Sequence, residues 1–189
     1  NNLPVVNRLL TAGANVNVNG FSGKTPLMFA VKTNLDLVNK VLSSGADVNA
    51  KDENDGTALI YSFIHIGPEA SAIRQRLLKA NPDVNVIYRD AQLQNDKDPI
   101  YSNATALSYA IADNDIEGVK LLLKHGADVN APLYHLPLTT ALLSKEPGSS
   151  KIVELLLNAG ANPWTHDFMV ADLSACRFKD YMVAEADEK

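Results

Sequence analysis

Leu9–Asn17 reads LLTAGANVN, and the phrase returns as VLSSGADVN at Val41–Asn49, LLKANPDVN at Leu77–Asn85, LLKHGADVN at Leu122–Asn130 and LLNAGANPW at Leu156–Trp164. A chain that repeats one short phrase is an array of one small unit, and the function of an array is usually a surface rather than a pocket. Each copy reads as the end of a helix. A pair of apolar residues closes the buried face, and then Gly13, Gly45, Gly126 or Gly160 supplies a left-handed turn that a Cβ disfavours. In the third copy Asn81 holds that place as the next best residue for the conformation, and Pro82 behind it cannot continue a helix.

A second phrase lies upstream of the first: TPLMFA at Thr25–Ala30, TALIYS at Thr57–Ser62, TALSYA at Thr105–Ala110 and LPLTTA at Leu136–Ala141. Threonine caps a short helix and proline occupies its first turn. The two phrases, in fixed order, resemble the ankyrin repeat with its T-P-L-H-x-A opening, over roughly Val5 to Trp164. The resemblance implies an all-α solenoid of stacked helix-turn-helix units with β-hairpin-like connections.

Spacing supports the period independently of wording. Thr25 follows Gly13 at an offset of 12 positions, and Thr57 follows Gly45 at the same offset. From Asn81 to Thr105 the interval doubles to 24, which places an insertion at about 88–103, whereas Gly126 to Leu136 is shortened to 10. The helix-to-helix turns near Gly67-Pro68 and Glu146-Pro147-Gly148 each gain residues. The expected organisation is a single ankyrin-repeat domain over 1–189: a partial N-terminal repeat at 1–19, repeats at 20–52, 53–89, 90–131 and 132–164, and a C-terminal cap at 165–189. The partial repeat has only a second helix, as if the chain began inside a longer protein. In the cap, Phe168, Val170, Ala171, Leu173, Phe178, Tyr181 and Met182 keep helical apolar spacing.

Composition narrows the function classes. Seventeen basic against 22 acidic residues give a net charge of −5, and the lysines and arginines are scattered singly. Nucleic-acid binding requires a basic face, and none is visible. A partner with some positive character is mildly preferred. No segment approaches the roughly 18 continuous apolar residues of a membrane span. The lone Cys176 excludes an intrachain disulfide and a cysteine-based zinc knuckle, and it reads as a packing residue. One such thiol suits a cytoplasmic chain as well as a periplasmic or secreted one whose leader has been removed.

Motifs that imitate chemistry have simpler explanations. Gly23-Lys24-Thr25 resembles the tail of a phosphate-binding loop, but Val18 stands where that loop needs glycine, and the repeat already uses Gly23 as a turn and Thr25 as a cap. Asn103-Ala104-Thr105 is a formal glycosylation sequon at a helix cap. His125 precedes a helix-ending glycine, where it suits the helix dipole, and His65, His135 and His166 lack partners at metal-ligand spacing. No nucleophile elbow, kinase signature or dinucleotide loop occurs. No cofactor, metal or catalytic residue is therefore assigned. Asn17, Asn49, Asn85 and Asn130 recur just beyond the helix-ending turn, where an amide side chain can bridge neighbouring hairpins.

The family resemblance implies docking on the hairpin tips and the exposed side of the first helices. Carried onto this chain, that surface comprises Phe21, Ser22 and Lys24, then Glu53 and Asn54, then Tyr134 and His135, with Lys32, Thr33, Ala112 and Asp113 at the far ends of first helices. Phe21 and Tyr134 stand out because aromatic residues offer large contact area for little rotamer entropy. The insertion adds Tyr88, Arg89, Ile100 and Tyr101 around the polar residues Gln92, Gln94, Asn95, Asp96, Lys97 and Asp98, and it either projects as a tip or tucks Ile100 and Tyr101 beneath itself. The expected function is non-catalytic recognition of another protein by a chain monomeric on its own. Two alternatives stand beside it: an inhibitor that plugs a toxin or enzyme, as some bacterial ankyrin-like immunity proteins do, and a targeting module of a larger enzyme, which the missing first helix suggests.

Overall fold

The structure, a computed structural model, describes residues 3–65, 67–89, 103–133 and 136–163. Expectations for Ile100, Tyr101, Tyr134 and His135, for the centre of the insertion and for the cap with Cys176 lie outside the described residues. Two compact units divide between Tyr109 and Ala110.

The first unit carries α1 (Leu3–Thr11), α2 (Pro26–Ala30), α3 (Leu35–Ser43), α4 (Ala58–Ile64) and α5 (Ala70–Leu78), and α6 (Ala106–Ala112) begins in it. The second unit holds the end of α6 with α7 (Ile116–Lys124), α8 (Pro137–Leu143) and α9 (Ser149–Asn158). Among the described residues all regular structure is helical, apart from an isolated antiparallel bridge between Tyr88 and Ala104. In the first unit α2 packs on α3 and α4 on α5, and the pairs stack through α2 on α4 and α3 on α5, with α1 against α3. In the second unit α9 packs on both α7 and α8.

The recurring phrases explain these elements. Gly13, Gly45, Gly126 and Gly160 all take positive φ of 84° to 89°, and Asn81 follows at 56°. At each of them the chain leaves a helix by the same left-handed step. Threonine opens the first helices with different partners. Thr57 Oγ1 accepts from the Ile60 amide at 3.3 Å, whereas Thr105 and Ser108 form a reciprocal capping box through 3.3 Å bonds in both directions. At Thr25 the amide donates to Met28 Sδ at 3.4 Å, and Leu136 opens α8 with no side-chain cap at all. The proline at the start of α8 presets its first turn instead.

Apart from α1, which has no buried residue and leaves Val5 and Leu9 exposed, apolar positions of the helices close the cores. Leu27, Met28, Val38, Leu59, Ile60, Phe63 and Leu77 are buried in the first unit, and Leu122, Ile152 and Leu156 in the second. Polar ties then set the stacking. Asn17 Oδ1 accepts from the Asp47 amide at 2.8 Å while its Nδ2 donates to Gly45 O at 3.1 Å. Asn49 accepts from the Asp83 amide at 2.7 Å, and Asn130 repeats both contacts of Asn17 with Asn162 and Gly160. One asparagine thus satisfies a donor and an acceptor of the next turn, which would otherwise rely on water. The lengthened turn before α5 adds a tie of its own, because Glu69 Oε2 accepts from the Leu35 amide at the start of α3.

Candidate interaction surface

Hairpin tips of the first unit are joined by backbone hydrogen bonds. The Glu53 amide donates to Ser22 O at 3.2 Å, and the Arg89 amide donates to Asn54 O at 2.9 Å. Four residues expected from sequence to face a partner, Ser22, Glu53, Asn54 and Arg89, therefore belong to one connected row. The approach of the first tip to the second depends on Gly23. Its φ is +73°, and a Cβ there would lie 3.0 Å from Glu53 N. A side chain at this position would force the two tips apart.

Phe21 stands at the end of this row with 92% of its surface exposed, inside a short 3-10 turn spanning Phe21–Gly23. A phenylalanine left this open contributes nothing to the core and leaves a large apolar area against water. At the other end Arg89 Nη1 pairs with Asp55 Oδ2 at 2.7 Å, with 69% and 33% of the two side chains exposed. A pair this open adds about 0–1 kcal/mol, so its main effect is to orient the guanidinium.

Tyr88 sits differently from its expected place on the surface: it is buried, and its backbone forms both hydrogen bonds of the bridge to Ala104. Its ring meets Tyr61 edge-on at 6.0 Å and Tyr109 at 6.5 Å. Burial makes Tyr88 a support beneath the tips rather than a contact residue. The bridge it forms closes the neck of the long insertion. Asp113 is exposed in the second unit, just beyond α6.

Lys24 and Lys32 converge on one side chain. Lys24 Nζ lies 4.9 Å and Lys32 Nζ 4.8 Å from the centroid of the Tyr61 ring, within the range at which an aromatic quadrupole attracts a cation. Tyr61 is itself buried and donates its hydroxyl to Asp52 Oδ2 at 2.5 Å. Asp52 Oδ1 accepts from the amides of Asn54 and Gly56 at 3.0 and 2.8 Å. The carboxylate is thus engaged in holding the second hairpin to α4. His65 stacks on the same ring, 6.2 Å away and tilted by 16°.

Electrostatics follow this crowding. Burial lowers the Lys32 pKa, Lys24 lowers it further, and Asp52 opposes both. Partial burial also lowers the His65 pKa, with Lys32 and then Lys24 adding to the effect. Burial raises the Tyr61 phenol, reinforced by its hydrogen bonds to Asp52 and Tyr88. Tyrosine and histidine are thereby held neutral beside two ammonium groups.

Asp52, Tyr61 and His65 were absent from the sequence-derived surface. A signal existed for Tyr61, since Phe29, Tyr61 and Tyr109 occupy one position of the second repeating phrase. For Asp52 there was none, because an aspartate in a hairpin ordinarily reads as a solvated turn residue. Among the described residues no group of histidine, cysteine, aspartate or glutamate could hold a metal ion, and no helix is long and apolar enough to cross a membrane.

Comparison with known families agrees with the repeat geometry. A family model described as ankyrin repeats (3 copies) matches residues 1–90 and 75–167. The chain belongs to the ankyrin repeat family, with the all-α architecture of that family, and such repeats generally act as protein–protein interaction modules. No curated protein matches the chain.

Proposed function

We propose that this chain is a non-catalytic recognition module that binds a partner protein along the hairpin tips of its first unit. The contact residues are Phe21, Ser22, Glu53, Asn54 and Arg89, with Lys24 and Lys32 beside them. The observation that carries this reading is the row of tips tied through Ser22–Glu53 and Asn54–Arg89, ending in a phenylalanine 92% exposed. Backbone ties hold the row in place before any partner arrives, so binding orders few additional groups. An exposed aromatic anchor on such a frame suits an interface hot spot. Ile100, Tyr101, Asp113, Tyr134 and His135 extend the proposal beyond this row.

Site-specific photo-crosslinking tests it. A benzophenone side chain in place of Phe21, in the full chain exposed to extract from its native source, is expected to capture a discrete protein. The same group in place of exposed Asp36 on α3 is expected to capture none. Equal labelling from both positions, or none from position 21, overturns the placement.

A further inference from the structure

We propose that Lys24 and Lys32, gathered around Tyr61, form a subsite for a carboxylate-bearing acidic segment of the partner protein. This inference rests on the docking reading of the same surface and specifies its chemistry.

The argument begins with charge. The chain carries a net charge of −5, yet two ammonium groups share one tyrosine ring. Among the described residues neither lysine has a carboxylate within ion-pair distance. Asp52 lies nearby and favours the charged form of Lys32, but this one carboxylate, held by the Tyr61 hydroxyl and the amides of Asn54 and Gly56, stands against two ammonium groups. The pair is therefore a local positive excess in an acidic protein. Burial and then Lys24 disfavour the charged form of Lys32, and an added anion would relieve the repulsion between the two lysines.

Geometry adds direction. Lys24 comes from the first hairpin, Lys32 from the turn after α2, and the ring from α4 of the next repeat. The position of the two cations is set by repeat stacking, because Tyr61 is fixed at its hydroxyl by buried Asp52. His65 on the same ring offers a third nitrogen donor. Two point cations and a neutral imidazole, with exposed Phe21 in the same hairpin turn as Lys24, suit a segment that presents acidic side chains and an apolar one. A free phosphate would use the same cations but would make no use of Phe21.

Titration of the full chain with a hexaglutamate peptide at low ionic strength, followed by NMR of the Tyr61 and His65 ring signals, tests the subsite. Hexaglutamate is expected to shift both rings saturably and to raise the His65 pKa, since a bound anion offsets Lys24 and Lys32. K24Q/K32Q is expected to weaken binding at least tenfold, K24R/K32R to retain it, and Lys124→Gln in the second unit to leave it unchanged. Inorganic phosphate moving these signals when hexaglutamate does not would overturn the proposal in favour of a small-anion site. Unmoved rings with either probe, or equal binding by K24Q/K32Q, would overturn it outright. A partner captured from position 21 equally well by K24Q/K32Q would sink the subsite while leaving the docking surface standing. Hexaglutamate binding without any capture from position 21 would count against the docking reading alone.

Discussion

Tyr61 donates its hydroxyl to Asp52 inside the first unit, and through that bond the second hairpin is held against α4. Tyr61→Phe leaves the carboxylate with its two amide donors but without its shortest partner. A loss of about 1–3 kcal/mol is expected, because a buried charged acceptor is left short of a donor. Urea unfolding measures it, and an unchanged midpoint would mean that the bond contributes nothing.

The same residue governs the alkaline side of the stability profile. Burial and the hydrogen bond to Asp52 raise the Tyr61 pKa above its ordinary value of 10.0. The unfolded chain ionises this phenol near that value while the folded chain keeps it protonated. Its contribution is therefore fully present below pH 10 and declines as the pH rises further. Spectrophotometric titration is expected to show Tyr61 ionising only as the protein unfolds, and Tyr61→Phe to remove one phenol from that late-ionising absorbance.

His65 behaves in the opposite sense on the acid side. Its pKa is lowered from 6.5 by burial and by Lys32 and Lys24, so the folded state favours the neutral ring. The associated stabilisation is complete above pH 6.5 and diminishes as the pH falls through the lowered folded value. Lys32→Gln is expected to move the His65 titration upward, as followed by NMR of the imidazole C2 proton. A titration indifferent to Lys32 would contradict the electrostatic coupling of the pair.

Gly56 leaves room for the buried carboxylate. A Cβ there would lie 2.9 Å from Asp52 Oδ1 and 3.0 Å from the Tyr88 ring. Gly56→Ala is expected to cost about 1–3 kcal/mol through overpacking. Gly45 makes a useful contrast, since its Cβ would meet nothing within 4 Å and only its φ of +86° opposes a side chain. Gly45→Ala is expected to cost about 1–2 kcal/mol from the backbone alone. Thermal denaturation should show both losses, and only Gly56→Ala should also disturb the Tyr61 and Tyr88 ring signals.

Asn17 offers a test of stacking that involves no core residue. Asn17→Ala removes the acceptor for the Asp47 amide and the donor to Gly45 O. About 0.5–1.5 kcal/mol per bond is at stake, discounted here by exposure to water. Faster hydrogen exchange at the Asp47 amide is the expected sign. Unaltered protection there would show that the hairpins are stacked by their apolar faces without this side chain.

Local features were legible in the chain itself. Gly13, Gly45, Asn81, Gly126 and Gly160 could be assigned left-handed turns because that conformation depends on the residue's own Cβ and its immediate neighbours. The bridging asparagines were legible for a related reason: a strict period brings equivalent positions of adjacent units side by side. Ser22, Glu53 and Asn54 could be anticipated as tips by the same counting and Arg89 as a residue of the insertion, although the hydrogen bonds joining them could not.

Tertiary structure alone decided which side chains converge. Assignment to the insertion placed Tyr88 on a surface, but its ring lies buried against Tyr61 and Tyr109. Asp52 has no role in the sequence reading, whereas folding surrounds that carboxylate with two amides and a phenol. Repeat phrases encode the scaffold through short-range backbone preferences and apolar spacing. The meeting of Lys24, Lys32, Tyr61 and His65 within the first unit depends on how one repeat lies on the next, and that is a property of packed volumes that the order of residues does not display.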